Sequence, residues 1–79
     1  MLNRKVIEGK EYVFCEWRRK FVRFTPEEYV RQTFLHYLIE QVQYPKHLIA
    51  VEVPLTNKRA DAVVYSKTMQ PLMLVEFKA

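Results

Sequence analysis

The pattern of hydrophobic and polar positions begins with a near-alternation of apolar and charged residues. It runs over residues 12–24 and predicts a β-hairpin there. Arg18, Arg19 and Lys20 interrupt the alternation, so we expect them to form the turn of that hairpin. Residues 1–11 are polar and mixed, and they are expected to form a flexible lead-in.

The next segment has the pattern of an amphipathic helix. Thr25 can cap its N-terminus, Pro26 suits the first helical position, and Glu28 stands three residues after the cap, as in a capping box. Apolar residues then recur at helical spacing. We therefore expect the helix to end near Gln43, before Pro45.

Three apolar segments follow the helix, and each predicts a strand. They cover residues 48–55, 60–65 and 72–78, and the polar segments between them predict turns. The order of hairpin, helix and three strands indicates an α+β fold. We expect a three-stranded mixed or antiparallel sheet, in a single domain over residues 1–79.

Composition narrows the class of protein without identifying a function. Nearly half of the 79 residues are hydrophobic, which indicates a globular chain. The formal net charge of +4 suits a polyanionic partner such as nucleic acid. Cys15 is the only cysteine, so an internal disulfide and a cysteine-based zinc site are excluded, and a cytoplasmic setting is expected. We expect neither a signal peptide nor a membrane span.

The candidate chemistry lies in the last two predicted strands. Side chains alternate along a strand, so Glu76 and Lys78 should share a face. If these strands pair through a turn centred between Thr68 and Met69, Asp61 lies opposite Glu76, with the Cβ atoms about 5 Å apart. Two such carboxylates repel unless a cation separates them, which predicts a Mg²⁺ site with Lys78 serving an attacking water. The other interpretation is that these charges only end the strands.

Five segments, in this order along the chain, match the pattern of a known family. They are FVRFTPEEYVRQ at 21–32, HYLIE at 36–40, YPK at 44–46, RADAVVY at 59–65 and LVEFKA at 74–79. Together they resemble the N-terminal nuclease domain of type I restriction enzyme R subunits. That family belongs to the PD-(D/E)xK superfamily of Mg²⁺-dependent DNA nucleases.

The resemblance implies an α/β-type restriction-endonuclease-like core and a role for each site residue. Asp61 and Glu76 match the two acids that bind Mg²⁺, for which Mn²⁺ can substitute, and Lys78 matches the catalytic lysine. Ala60 stands where the superfamily motif has proline. The superfamily core continues with another helix and strand, so the resemblance implies a core truncated after its third strand.

The function implied by the resemblance is a Mg²⁺-dependent DNA endonuclease module of a type I restriction system, which hydrolyses phosphodiester bonds. Its expected partners are DNA and the other restriction-system subunits. Two different functions stay open. One is a catalytically inactive module that binds DNA or a subunit. The other is a truncated fragment that self-associates as a homodimer through the open edge of its last strand.

Glu28 is a third candidate metal ligand, because many members of that superfamily carry an acid on the first helix. The alternative is that Glu28 only closes the capping box. Arg31 and Gln32, on the same helix, either support the site or lie on an ordinary solvated helix face.

Two groups of cations are candidate contacts for DNA. Lys58 and Arg59 directly precede the first acid, which suits contact with the DNA backbone. Arg18, Arg19 and Lys20 form the densest basic cluster, at the predicted hairpin turn. They either contact phosphate or form a solvated turn that keeps an edge strand from pairing.

Overall fold

The computed structural model of the protein describes residues 2–78, so Met1 and Ala79, which the predicted single domain includes, lie outside the described residues. Within them the chain forms two three-stranded antiparallel sheets and one α-helix, α1, over Pro26–Glu40. The strands of the first sheet are β1 (Arg4–Ile7), β2 (Lys10–Cys15) and β3 (Lys20–Arg23). Those of the second are β4 (Ile49–Pro54), β5 (Arg59–Tyr65) and β6 (Pro71–Val75). A 3-10 turn at Lys46–Leu48 precedes β4.

The expected flexible lead-in over residues 1–11 is wrong for most of that segment. β1 pairs with β2 from Arg4 opposite Val13 to Ile7 opposite Lys10. Glu8 and Gly9 form the two-residue turn between them, with φ values of 50° and 76°. β1 has the sequence RKVI, which does not alternate between apolar and polar residues, and all four residues are exposed. The sequence pattern therefore does not predict this strand.

The hairpin predicted over residues 12–24 is confirmed as the β2–β3 pair, with Phe14 opposite Phe21. Its turn lies earlier than expected. Residues 16–19 form the turn, whereas Lys20 is the first residue of β3 and faces Cys15 across the ladder. The basic cluster therefore divides between turn and strand.

The start of α1 is as predicted. Thr25 is the N-cap, its side chain accepts a hydrogen bond from the Glu28 amide, and Pro26 is in the first turn. The helix ends at Glu40, earlier than the expected Gln43. It stops because the chain turns away at Gln43, whose φ of 62° is left-handed.

The second sheet confirms the three predicted strands and their antiparallel order. It also confirms the predicted register, since Ala62 pairs with Val75 and Val64 with Met73. A bulge at Val64/Tyr65 accommodates the turn that precedes β6. The prediction that the last strand extends to Lys78 is wrong, because β6 ends at Val75.

One face of α1 packs on the second sheet and closes the main core. The buried members of this cluster are Leu35, Leu38, Ile49, Ala62 and Val64. Phe77, which follows β6, joins the cluster through the ring of Phe34, with centroids 5.6 Å apart. The chain is thus a mixed α+β fold, and the segment after β6 is anchored to the helix by this aromatic contact. None of the helices described is both long and apolar enough to cross a membrane.

Candidate functional site

Asp61 lies in β5 and is held by hydrogen bonds at both its side chain and its backbone. Its carboxylate Oδ2 accepts a hydrogen bond of 2.8 Å from the amide of Phe77. Its carbonyl oxygen accepts one of 3.0 Å from Nη1 of Arg31, on α1. Asp61 therefore connects the helix, the second sheet and the segment after β6.

Glu76 and Lys78 flank the residue whose amide binds Asp61. Ala62 of β5 and Val75 of β6 are the last pair of the two strands. Asp61 and Glu76 are the next residues beyond this pair, and Glu76 lies outside β6. The Glu76 side chain is exposed, and its Oε2 lies 3.3 Å from Nζ of Lys58. Lys78 is exposed as well. The structure thus brings the Glu76–Lys78 segment beside Asp61.

The donor types at Asp61 and Glu76 suit Mg²⁺, although the side chains do not form a closed cage. In the described part of the chain, no group of three or more His, Cys, Asp or Glu side chains is arranged to hold a metal ion. Mg²⁺ usually binds through one or two protein carboxylates and keeps several waters. The Glu76 carboxylate is paired with Lys58 in this structure.

Glu28 is buried and already bound by three side chains. Its Oε2 accepts hydrogen bonds from Nη2 of Arg18 and, at 2.9 Å, from Nε2 of Gln32, while its Oε1 accepts one of 3.2 Å from Nη2 of Arg31. The capping box is only half present, since Thr25 accepts from the Glu28 amide and the Glu28 carboxylate turns to these partners. Two guanidinium groups neutralise this carboxylate, which disfavours it as a cation ligand.

Arg31 and Gln32 do not lie on a solvated helix face, so that interpretation is wrong. Both are buried, and both donate hydrogen bonds to Glu28. Arg31 also donates to the Asp61 carbonyl, so it links the buried Glu28 to the backbone of the candidate site. Of the pair expected to support the site, Arg31 contacts Asp61 directly, whereas Gln32 donates to Glu28.

Arg18 is folded inward, although it belongs to the hairpin turn. Its side chain is only 16% exposed and makes an ion pair with Glu28. Burial by itself lowers the pKa of this guanidinium, but the hydrogen bond to Sγ of Cys15 and the nearby Glu28 and Glu52 carboxylates outweigh burial and raise the pKa. The expectation of a solvated Arg18 is therefore wrong, and its charge is directed at carboxylates inside the protein.

The other four predicted cations are exposed. Arg19 and Lys20 lie at the tip of the β2–β3 hairpin. Lys58 contacts Glu76, and Nη1 of Arg59 lies 3.7 Å from Oε1 of Glu52. Their contact with DNA stays a prediction, and Lys58 and Arg59 closely precede Asp61 along the chain.

Glu52 is a residue that sequence reasoning missed. It lies within β4 with a φ of 53°, a left-handed conformation that is uncommon for a residue other than glycine. Its Oε2 lies 3.6 Å from both Arg18 and Arg31. The only sign in the sequence is a single acid inside the apolar segment IAVEVP, which does not reveal its partners.

The family model of the type I restriction enzyme R protein N terminus matches residues 26–79. The match covers more than half of the chain and includes α1, the second sheet, Asp61, Glu76 and Lys78. The three strands of the first sheet precede the matched residues. No curated protein and no solved structure matches the chain.

Proposed function

The chain belongs to the family of the type I restriction enzyme R protein N terminus, and from this membership we propose that it is a Mg²⁺-dependent DNA endonuclease module. Membership of this family indicates a role in a restriction system. The proposal adds the chemistry, which is hydrolysis of a phosphodiester bond in DNA. The observation that carries it is the hydrogen bond from the Phe77 amide to the Asp61 carboxylate, since it holds the first acid beside the Glu76–Lys78 segment.

In this proposal each site residue has a role in the reaction. Asp61 and Glu76 are the carboxylates that would hold Mg²⁺, which supplies Lewis acidity toward a phosphoryl oxygen and toward water. The Phe77 amide and the Arg31 guanidinium orient Asp61. Lys78 stabilises negative charge on the phosphate or holds the attacking water. Glu28, whose charge is balanced by Arg18 and Arg31, acts by holding Arg31 in place.

The ion pair between Lys58 and Glu76 is compatible with this function. Both side chains are more than half exposed, and an exposed ion pair contributes only about 0–1 kcal/mol. Opening it therefore costs little. Lys58, once released, is free to contact the DNA backbone beside Arg59, and Glu76 is free to bind a cation.

The proposal extends to the fold and the partners. We propose that α1 and the second sheet form part of a restriction-endonuclease-like core of the PD-(D/E)xK type. The support for this is the β5–β6 register, whose last pair, Ala62 with Val75, lies next to Asp61 and Glu76 in the chain. The proposed partners are DNA and the other subunits of the restriction system.

The test is plasmid cleavage in Mg²⁺ by the R protein that carries this N terminus. Asp61→Asn, Glu76→Gln and Lys78→Met should each lower the cleavage rate about 100-fold or more, because each removes a charge that the transition state requires. The Asp61→Asn side chain can still accept the hydrogen bond of the Phe77 amide. The lower cleavage rate of this variant would therefore reflect the missing negative charge.

The matched control is Lys67→Met, since Lys67 is an exposed lysine of the β5–β6 turn. It should leave the rate unchanged. Cleavage at the unaltered rate by the Asp61→Asn protein contradicts the proposal.

A second candidate function is a module that binds DNA or a subunit and does not cleave. The observation in its favour is that Glu28 is bound by arginines and Glu76 is paired with Lys58. DNA binding that persists in EDTA and weakens with salt, with no detectable metal binding, would support this candidate.

Self-association through the open edge of β6 is a separate proposal about partners. Leu72, Met73 and Leu74 of that strand are exposed, and a strand edge with free backbone groups can pair with a second copy. Sedimentation at increasing protein concentration tests it. A constant monomer mass at all concentrations would contradict it.

A further inference from the structure

The first sheet has one face that is both aromatic and basic. Lys5, Tyr12 and Arg23 lie opposite one another across the three strands, and Phe14 lies opposite Phe21. Directly opposite residues of antiparallel strands project to the same side. We call this surface the basic face, and it consists of Lys5, Ile7, Lys10, Tyr12, Phe14, Phe21 and Arg23. The alternate residues Val13 and Cys15 are buried on the other side.

Two of the three cations of the basic face, Lys5 and Arg23, lie over aromatic rings. Nζ of Lys5 lies 3.9 Å from the ring centroid of Phe21, and the guanidinium of Arg23 lies 5.9 Å from that of Tyr12. Phe14 supports the Phe21 ring edge-on, with centroids 5.3 Å apart. A ring restricts where a cation lies but forms no strong hydrogen bond with it, so the N–H donors stay available to an anion.

None of the strand residues on this face is acidic. Glu11 is the one acid of β1, β2 and β3, and it points to the opposite side, where it lies 3.6 Å from Arg4. Within residues 2–78, no ion pair joins Lys5, Lys10 or Arg23 to an acid. Arg18, Arg31 and Arg59, in contrast, each have a carboxylate partner.

We infer that the basic face docks the phosphate backbone of DNA. Charge complementarity identifies the partner, since one sheet face carries three cations that have no acid partner within residues 2–78. The phosphate backbone matches them, because each neutralised phosphate releases condensed counterions. The rings serve to hold the cations, and Lys5 already covers Phe21, so contacts go to the backbone rather than to bases. The inference rests on the proposed function for the identity of the polyanion.

The test is fluorescence anisotropy with a short labelled DNA duplex, in EDTA, at several salt concentrations. The double variant Lys5→Gln/Arg23→Gln should raise Kd about tenfold. It should also reduce the slope of log K against log salt by about 1.8, since each phosphate contact contributes about 0.9. The matched control is Lys46→Gln/Lys67→Gln, which removes the same net charge from exposed positions elsewhere. It should change Kd less than twofold.

Three results would overturn the inference: no DNA binding by the unaltered chain at low salt, an unchanged Kd for the double variant, or an equal loss in the control. The last result would mean that only net charge matters. The test in EDTA is independent of the metal site. Asp61→Asn should bind DNA normally there even though it loses the metal, so the inference and the proposed nuclease activity fail separately.

Discussion

Glu28 is the residue at which three parts of the chain meet. Its carboxylate joins Arg18 of the hairpin turn to Arg31 of α1, and Arg31 in turn binds the backbone of Asp61 in β5. Glu52 of β4 lies within 3.6 Å of both arginines. The first sheet, the helix and the candidate site are therefore coupled through one buried group of charges.

Removing the charge of Glu28 should be strongly destabilising. The variant Glu28→Gln leaves two largely buried guanidinium groups without their main counter-charge, and breaking such a pair costs about 3–5 kcal/mol. We expect the free energy of unfolding, measured by urea denaturation, to fall by about 3 kcal/mol.

The neighbouring Glu27 provides the control for that measurement. Glu27 is exposed in the same helical turn, so Glu27→Gln should change the free energy of unfolding by less than about 0.5 kcal/mol. Equal losses in the two variants would mean that helix-end electrostatics, and not the buried ion pairs, account for the role of Glu28.

At the residue scale, sequence reasoning succeeded where local geometry decides and failed where distant residues meet. The β5–β6 register, in which Ala62 pairs with Val75, followed from strand alternation and the position of a turn. The partners of Glu28 did not, because Arg18 approaches it only after the hairpin folds onto the helix. Glu52 was missed for the same reason.

Among the elements, β1 depends most on its turn. It is a short, fully exposed strand, so its pairing with β2 gains little from burial. Glu8 and Gly9 both have positive φ values, which a two-residue turn of this kind requires. Gly9 is the only glycine of the chain and adopts this conformation without strain.

Replacing Gly9 by alanine should weaken the chain by backbone strain alone. A Cβ at this position meets nothing within 4 Å, so no clash contributes. The left-handed conformation costs an L-residue about 1–2 kcal/mol, and we expect Gly9→Ala to lower the free energy of unfolding by about 1 kcal/mol in urea. Gly9→Asn, which tolerates this conformation better, should lose less. Equal losses would point to a cause other than φ.

The helix and the second sheet were predictable because each carries a strong periodic pattern and a recognisable boundary. Thr25 and Pro26 mark the helix start, and β4 to β6 are short apolar segments separated by polar turns. β1 was missed since it has no such pattern. β6 was predicted too long because apolar alternation continues to Phe77, although Phe77 packs on Phe34 outside the strand ladder.

For the whole molecule, the proposals divide the tasks between two sheets. The family match covers the helix and the second sheet, which carry Asp61, Glu76 and Lys78. The first sheet precedes that match, carries the basic face, and is connected to the helix through Arg18 and Glu28. In this account the second sheet performs the chemistry on DNA that the first sheet helps to hold.

The most direct test of the central claim is calorimetric Mn²⁺ or Mg²⁺ binding by the folded chain. The account predicts binding by the unaltered chain and by the control Glu27→Gln, and loss of binding in both Asp61→Asn and Glu76→Gln. That result would place the metal between the two carboxylates. Absence of binding by the folded, unaltered chain, or full binding by the Asp61→Asn variant, would contradict the account.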